Sequence, residues 1–231
     1  MKCLLCQRDY QPALSLTSLL SFQPLFKETI CPNCYLQFES ISDVTVERCQ
    51  KCLKKLASHE LDVCGECQQW AEKYPNITYQ HHALFYYNQI AKEWLHRYKF
   101  LRDYRFRTTF SKMLHAFYTK HSDYIFVPIP VSTERLEERG FNQVTAMLES
   151  ALIPYHVALT KSQDTLRQSQ RKRTERIEMV QPFQLNKELC IKTNKLMIVD
   201  DIYTTGSTMY HALDVFSQVG VTKLEGFTIF R

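Results

Sequence analysis

Two sets of residues in this chain have types and spacings suited to chemistry. The first is the run LMIVDDIYTTGST, from Leu196 to Thr208. Four apolar residues lead into two adjacent carboxylates, Asp200 and Asp201, and then into a turn of Thr204, Thr205, Gly206, Ser207 and Thr208. Successive backbone N–H groups in such a turn, backed by the positive end of a following helix, converge on one point and suit a phosphate dianion. Gly206 lets the backbone approach a ligand closely, and the hydroxyls add neutral donors. The plain alternative is an ordinary strand-to-helix turn, with Ser207 or Thr208 capping the helix and the aspartates on the surface.

The second set is cysteine. Of nine, eight form four C-x-x-C pairs, Cys3/Cys6, Cys31/Cys34, Cys49/Cys52 and Cys64/Cys67. One such knuckle presents two thiolates to a tetrahedral ion and two knuckles complete a closed four-thiolate site, so the eight imply two structural Zn²⁺ ions. Sequential pairing joins the first four and the last four; interleaved pairing is the alternative. Closed sites have no open position for catalysis and act as staples for a segment too short to fold alone. Free or redox-active thiols are the competing reading. His59 reads as a solvated loop histidine rather than a substitute ligand. Cys190, outside the pairs, reads as a small buried residue.

The elements that must position these groups follow from periodicity. Leu196 to Val199 has the continuous apolar character of a strand covered on both faces. A helical pattern runs from Met209 through Tyr210, Leu213, Phe216 and Val219, and Lys223 to Phe230 reads as a terminal strand. That strand–helix–strand unit makes its two strands parallel neighbours. Pro75 and Asn76 mark a junction, dividing the chain into a cysteine-bearing domain, 1–75, and a second domain, 76–231. His82 to Tyr87 reads as a strand, and Gln89 to Lys120 as two helices broken near Arg102 to Arg105. Ile125 to Val131, IFVPIPV, should be a short strand that stops at Val127 and enters a rigid loop, because proline cannot donate to a sheet ladder. In the helical stretch 132–143, Arg135 and Arg139 lie four apart on one face. Tyr155 to Thr160 reads as another strand, followed by a polar, basic loop from Lys161 to Arg176.

Between Lys92 and Lys112 there are seven Lys/Arg against two acids, interleaved with Trp94, Tyr98, Phe100, Tyr104, Phe106 and Phe110. Cations that grip phosphates beside rings that stack bases are what single-stranded nucleic acid needs, which nominates Lys92, Arg97, Lys99, Arg102, Arg105 and Arg107. The competing reading is amphipathic helices with aromatics in the core and charges in solvent.

Bulk properties bound the answer. A chain of 231 residues with 45% apolar content can build a sizeable core. No apolar run approaches the ~20 residues of a membrane span, and the Met1 to Cys6 start lacks a signal peptide's apolar stretch, so cytoplasmic residence is expected. The net charge of +5 arises after residue 75, so anionic partners are expected at the second domain.

Residues 199 to 208 resemble the signature of the type I phosphoribosyltransferases, which bind phosphoribosyl pyrophosphate (PRPP). The resemblance implies an α/β fold, a parallel sheet flanked by helices, and the cysteine knuckles before it read as a small N-terminal zinc-ribbon domain. It implies that Asp200 and Asp201 face the ribose hydroxyls and a Mg²⁺ shell and are the candidate catalytic residues, while Thr204, Thr205, Gly206, Ser207 and Thr208 hold the 5′-phosphate. It also implies that the loop Pro128, Ile129, Pro130 and Val131 meets the pyrophosphate, and that Arg167, Arg171, Arg173 and Arg176 sit on a lid. The strings VPIP and RLEERGFNQ, with the cysteine knuckles and VDDIYTTGST, look like the ComF family of competence proteins over essentially the full length. In the lid, Gln168 and Arg176 match that family, whereas Gln170, Arg171, Glu178 and Met179 depart from it. The expectation is a protein of natural transformation that handles incoming single-stranded DNA beside a DNA-uptake helicase of the ComFA type and carries a PRPP pocket. The alternative is an active phosphoribosyltransferase that passes ribose 5-phosphate to an unknown acceptor and releases pyrophosphate.

Overall fold

Leu196, Met197, Ile198 and Val199 are all covered, as a strand packed on both faces must be. The computed structural model describes residues 1–12, 24–42, 47–58, 60–161, 181–186 and 194–231. His59, Cys190 and the lid arginines Arg167, Arg171, Arg173 and Arg176 lie outside them. The described elements are α1 (Pro32–Tyr35), α2 (Gly65–Lys73), β1 (Tyr79–Phe85), α3 (Gln89–Lys99), a 3-10 helix (Tyr104–Thr108), α4 (Ser111–Lys120), β2 (Ile125–Pro128), α5 (Thr133–Arg139), α6 (Gln143–Ser150), β3 (Leu159–Lys161), β4 (Phe183–Leu185), β5 (Lys195–Ile202), α7 (Ser207–Ser217) and β6 (Lys223–Phe230).

A four-stranded parallel sheet in the order β1-β6-β5-β2 forms the centre, with β3 and β4 as a separate antiparallel pair. β5 and β6 are parallel neighbours, with Val199 opposite Phe227, as the strand–helix–strand pattern requires. The sheet has a packed layer on each face. Met197, Val199, Phe227 and Phe230 join Trp94, Phe106 and Phe110 in one cluster. Leu196, Ile198 and Val127 join Met209, Leu213 and Phe216 in the other. Each cluster also takes in one group of cysteines, Cys3, Cys31 and Cys34 in the first and Cys49, Cys52, Cys64 and Cys67 in the second. The cysteine-bearing region therefore covers both faces of the sheet rather than standing apart from it.

Several boundaries differ from the sequence expectation for physical reasons. β1 starts at Tyr79 rather than His82, because His81 is buried and satisfied there. Its Nδ1 pairs with the Tyr79 hydroxyl at 2.7 Å and its Nε2 with Thr228 Oγ1 at 2.9 Å, and burial holds its pKa well below the usual histidine value. Tyr155 makes only an isolated bridge to Phe126, so the strand expected there reduces to Leu159–Lys161. α7 starts at Ser207, two residues before Met209, and β2 includes Pro128 with the ladder continued by the Ile129 N–H to Val199 O at 2.9 Å. α3 opens where the Asn88 side chain accepts from the Ala91 N–H, and its Trp94 and Tyr98 are fully buried.

Trp94 packs against Tyr98 at 5.0 Å, Phe110 at 5.2 Å and Phe230 at 5.6 Å between ring centroids. Trp94→Ala should therefore lower unfolding free energy by about 3–5 kcal/mol, read as a shift in denaturant midpoint at unchanged slope. A shift below about 1 kcal/mol would mean that this aromatic cluster is not the main core.

Candidate functional site

The cysteines form two groups, Cys3, Cys6, Cys31 and Cys34 and, separately, Cys49, Cys52, Cys64 and Cys67, with the ligand atoms of each group within 4.8 Å of one another. Of the pairings the spacing allows, this is the sequential one. Cys6 and Cys31 sulfurs lie 3.7 Å apart and those of Cys52 and Cys64 3.6 Å. A tetrahedron with Zn–S bonds of ~2.3 Å has edges of ~3.8 Å, whereas a disulfide needs ~2.05 Å, so both groups fit a tetrathiolate zinc centre. Around Cys3, burial opposes ionisation, but the N–H groups of Cys6, Cys31 and Leu5 outweigh it and bring the thiol down to about 6.

The other candidate site is a cleft of about 640 Å³ outside the carboxyl ends of β2 and β5, the position where open α/β sheets bind ligands. Ile129, Pro130 and Val131 line one wall, Thr204 and Thr208 another, and Asp200 and Asp201 the floor. Pro128, buried at the end of β2, is not part of the lining. Thr205, Gly206 and Ser207 are not part of the lining. Gly206 is the residue before α7, with φ of +88° and no side chain of its own to cap the helix, and the Ser207 N–H has Thr205 Oγ1 at 3.5 Å. A Cβ at Gly206 would approach the Tyr203 hydroxyl to 2.3 Å and Trp70 Nε1 to 3.2 Å, a close approach that only glycine permits. Asn142 caps α6 and also reaches the opposite wall, donating from Nδ2 to Ile129 O at 3.2 Å.

The two carboxylates differ. Asp201 is 1% exposed, accepts from Gln143 Nε2 at 3.0 Å and forms an ion pair with the Lys99 ammonium. Burial works against its charge, but Lys99 and Gln143 outweigh it and hold its pKa below the usual carboxylate value. Gln143 is itself held by Arg139, which donates to its Oε1. Asp200 accepts from the Asp201 N–H at 2.9 Å. Burial, and then the neighbouring Asp201 charge, push its pKa well above the usual value. The floor thus holds one ionised carboxylate and one that favours its proton, a pair able to take up a cation or hydroxyl groups.

The cations nominated for nucleic acid separate in the structure. Lys99 belongs to the cleft. Arg97 pairs with Glu93 and donates to Leu4 O, and Arg107 lies over the Tyr104 ring. Lys92, Arg102 and Arg105 are exposed, Arg105 in contact with Asp103. Trp94, Tyr98, Phe106 and Phe110 are core, whereas Phe100 and Leu101 are 70% and 63% exposed and Tyr104 is also exposed. Sequence reasoning missed the cleft roles of Lys99 and Gln143. No local pattern announces either, although a buried glutamine within RLEERGFNQ was the available signal. It also left Arg135, which lines the cleft, and Lys161, which lines it from the start of the basic loop, without a ligand role.

No family model matches the chain. It is similar to Competence protein ComFC of Streptococcus pneumoniae (strain ATCC BAA-255 / R6), 33% identical over 231 residues that cover 100% of both chains. The chain belongs to the ComFC competence-protein family. Competence protein ComFC of Bacillus subtilis (strain 168) is 30% identical over 237 aligned residues, covering 99% of this chain and 94% of that one. The ComFC family resemblance read from the knuckles, VPIP and RLEERGFNQ is therefore shown over the whole length.

Two outcomes follow. Elemental analysis should give two zinc ions per chain, and Cys49→Ser should leave about one, the ion held by the untouched first cluster. Asp200→Asn, which removes the crowded charge, should leave the thermal midpoint unchanged or raise it. Asp201→Asn, which strands Lys99 and Gln143, should cost about 1–3 kcal/mol, so equal effects would sink the assigned asymmetry.

Proposed function

We propose that this protein serves DNA uptake in competence, handling incoming single-stranded DNA, and that its cleft binds PRPP together with Mg²⁺. The observation that carries the ligand reading is the meeting of three features on one cleft: a paired carboxylate floor, a glycine-bent threonine turn at the start of α7, and the Ile129–Val131 loop. The family supports the competence reading, since both similar proteins bear that name. In this reading residues 1–75 form the double zinc ribbon and residues 76–231 the phosphoribosyltransferase-like unit. The protein acts in the cytoplasm beside a ComFA-type helicase. No helix among the described residues is long and apolar enough to cross a membrane.

Each group in the cleft has a defined task. Thr204, Thr208 and the first amides of α7 hold the 5′-phosphate, which the helix dipole also favours. Asp200 and Asp201 accept from the ribose hydroxyls and would hold Mg²⁺ bound with PRPP, which would supply positive charge against its diphosphate. Arg135 and Lys161, both in the lining, offset the charge of the pyrophosphate. Lys99 holds Asp201 ionised. Single-stranded DNA is met by the exposed tip after α3, where Phe100 and Tyr104 offer rings and Arg102 and Arg105 offer cations, with Lys92 exposed at the other end of that helix.

Calorimetry tests the cleft. PRPP with Mg²⁺ should bind the wild type and fail to bind Asp200→Asn/Asp201→Asn, and no heat from either protein would end the reading. Because burial and the neighbouring Asp201 charge raise the pKa of Asp200, cation binding there competes with its proton. Affinity should therefore rise as pH climbs from the ordinary carboxylate range, and a flat profile there would remove Asp200 from the site. For DNA, Phe100→Ala/Arg102→Ala should weaken a single-stranded oligonucleotide by about 1–3 kcal/mol in a mobility-shift titration, with affinity falling as salt rises. Salt-independent binding, or binding indifferent to the variant, would reject that tip.

A further inference from the structure

The threonine turn faces the cleft on one side, and on the other it is held by the second cysteine cluster. Trp70, on α2 between Cys67 and Tyr74, donates from Nε1 to Thr205 O at 2.7 Å. Its ring stacks on Tyr210 of α7 at 4.9 Å with the planes 9° apart and meets His211 edge-on. Arg231 donates from Nη1 to Thr204 O at 3.0 Å, while its Nε and Nη2 reach Cys52 O at 2.6 Å and Cys52 Sγ at 2.9 Å. Its guanidinium lies over the Tyr203 ring. Neither Trp70 nor Arg231 lines the cleft.

In a planar trans peptide the carbonyl and the N–H point in opposite directions. Drawing the carbonyls of Thr204 and Thr205 back toward the cysteine cluster therefore turns the N–H groups of Thr205 and Gly206 away from it, toward the ligand side. Four thiolates around one divalent ion would leave a net negative charge, and with the ion bound the contact between Arg231 and Cys52 would be charge-assisted. Resting on the PRPP reading for the ligand, we infer that Trp70 and Arg231 are positioning residues for the phosphate turn. Through them the Cys49/Cys52/Cys64/Cys67 centre sets how well that turn binds. This cluster is then a support for the binding site as well as a staple for its own segment.

The test uses full-length, zinc-loaded protein and two variants outside the cleft: Trp70→Phe, which keeps the stack on Tyr210 but loses the donor, and Arg231→Gln. Amide hydrogen exchange at residues 204–208 should speed up by about tenfold in both, while exchange in β5, the thermal midpoint and the zinc content stay as in wild type. Calorimetric affinity for PRPP with Mg²⁺ should fall by a similar factor, about 1.4 kcal/mol. Unchanged exchange at 204–208 in both variants overturns the inference, as does acceleration spread over the whole sheet. If the wild type does not bind PRPP, the ligand reading fails by that result alone, and the exchange comparison still decides whether Trp70 and Arg231 hold the turn.

Discussion

Adjacent carboxylates at the end of a fully covered strand impose the constraint around which this protein is arranged. Asp200 and Asp201 both line the cleft, Asp201 buried and Asp200 half-buried, so two like charges meet in a partly desolvated site. Asp201 is compensated from three helices, by Lys99 at the end of α3, by Gln143 at the start of α6, and through Gln143 by Arg139 at the end of α5. Asp200 finds no cation so close among the described residues and keeps its proton more readily. One charge therefore locks the helices around the carboxyl end of the sheet, while the other is left as reactive capacity in the cleft.

The cysteine region is the second determinant. Phe38, which follows the first cluster's knuckles, packs against Phe85, Phe110 and Phe230, so that cluster is continuous with the core beneath the sheet. Ser40 and Ile41 pair with the outer side of β1, through the Ser40–Phe85 bridge and the Ile41 N–H to Leu84 O, and cover an edge that would otherwise invite another strand. The opposite face receives the second cluster. Cysteines of the two clusters thus pack against the core on both faces of the sheet, and Ser40 and Ile41 cover part of one edge.

The legible parts were those governed by local pattern. The strand of Leu196 to Val199, the glycine turn, the terminal strand Lys223–Phe230 and the cysteine knuckles all declare themselves within about ten residues, where burial period and ligand spacing act directly. The parts that escaped depend on distant partners. His81 reads as polar until Thr228 stands beside it, and Lys99 reads as a free surface cation until Asp201 is placed opposite. Trp70 and Thr205, or Arg231 and Cys52, are far apart in sequence, and no periodicity could pair them. Spacing identified the knuckles, but only the fold chose which knuckles share an ion.

The two tryptophans of this chain occupy contrasting places. Trp94 is sealed among phenylalanine and tyrosine rings in the core, and Trp70 lies stacked on Tyr210 with its indole N–H bonded to the threonine turn. The first chromophore stands where loss of the whole fold would expose it; the second is tied to the backbone of the turn beside the cleft. One molecule thus carries two intrinsic optical probes, one in the core and one at the threonine turn, without any label being introduced.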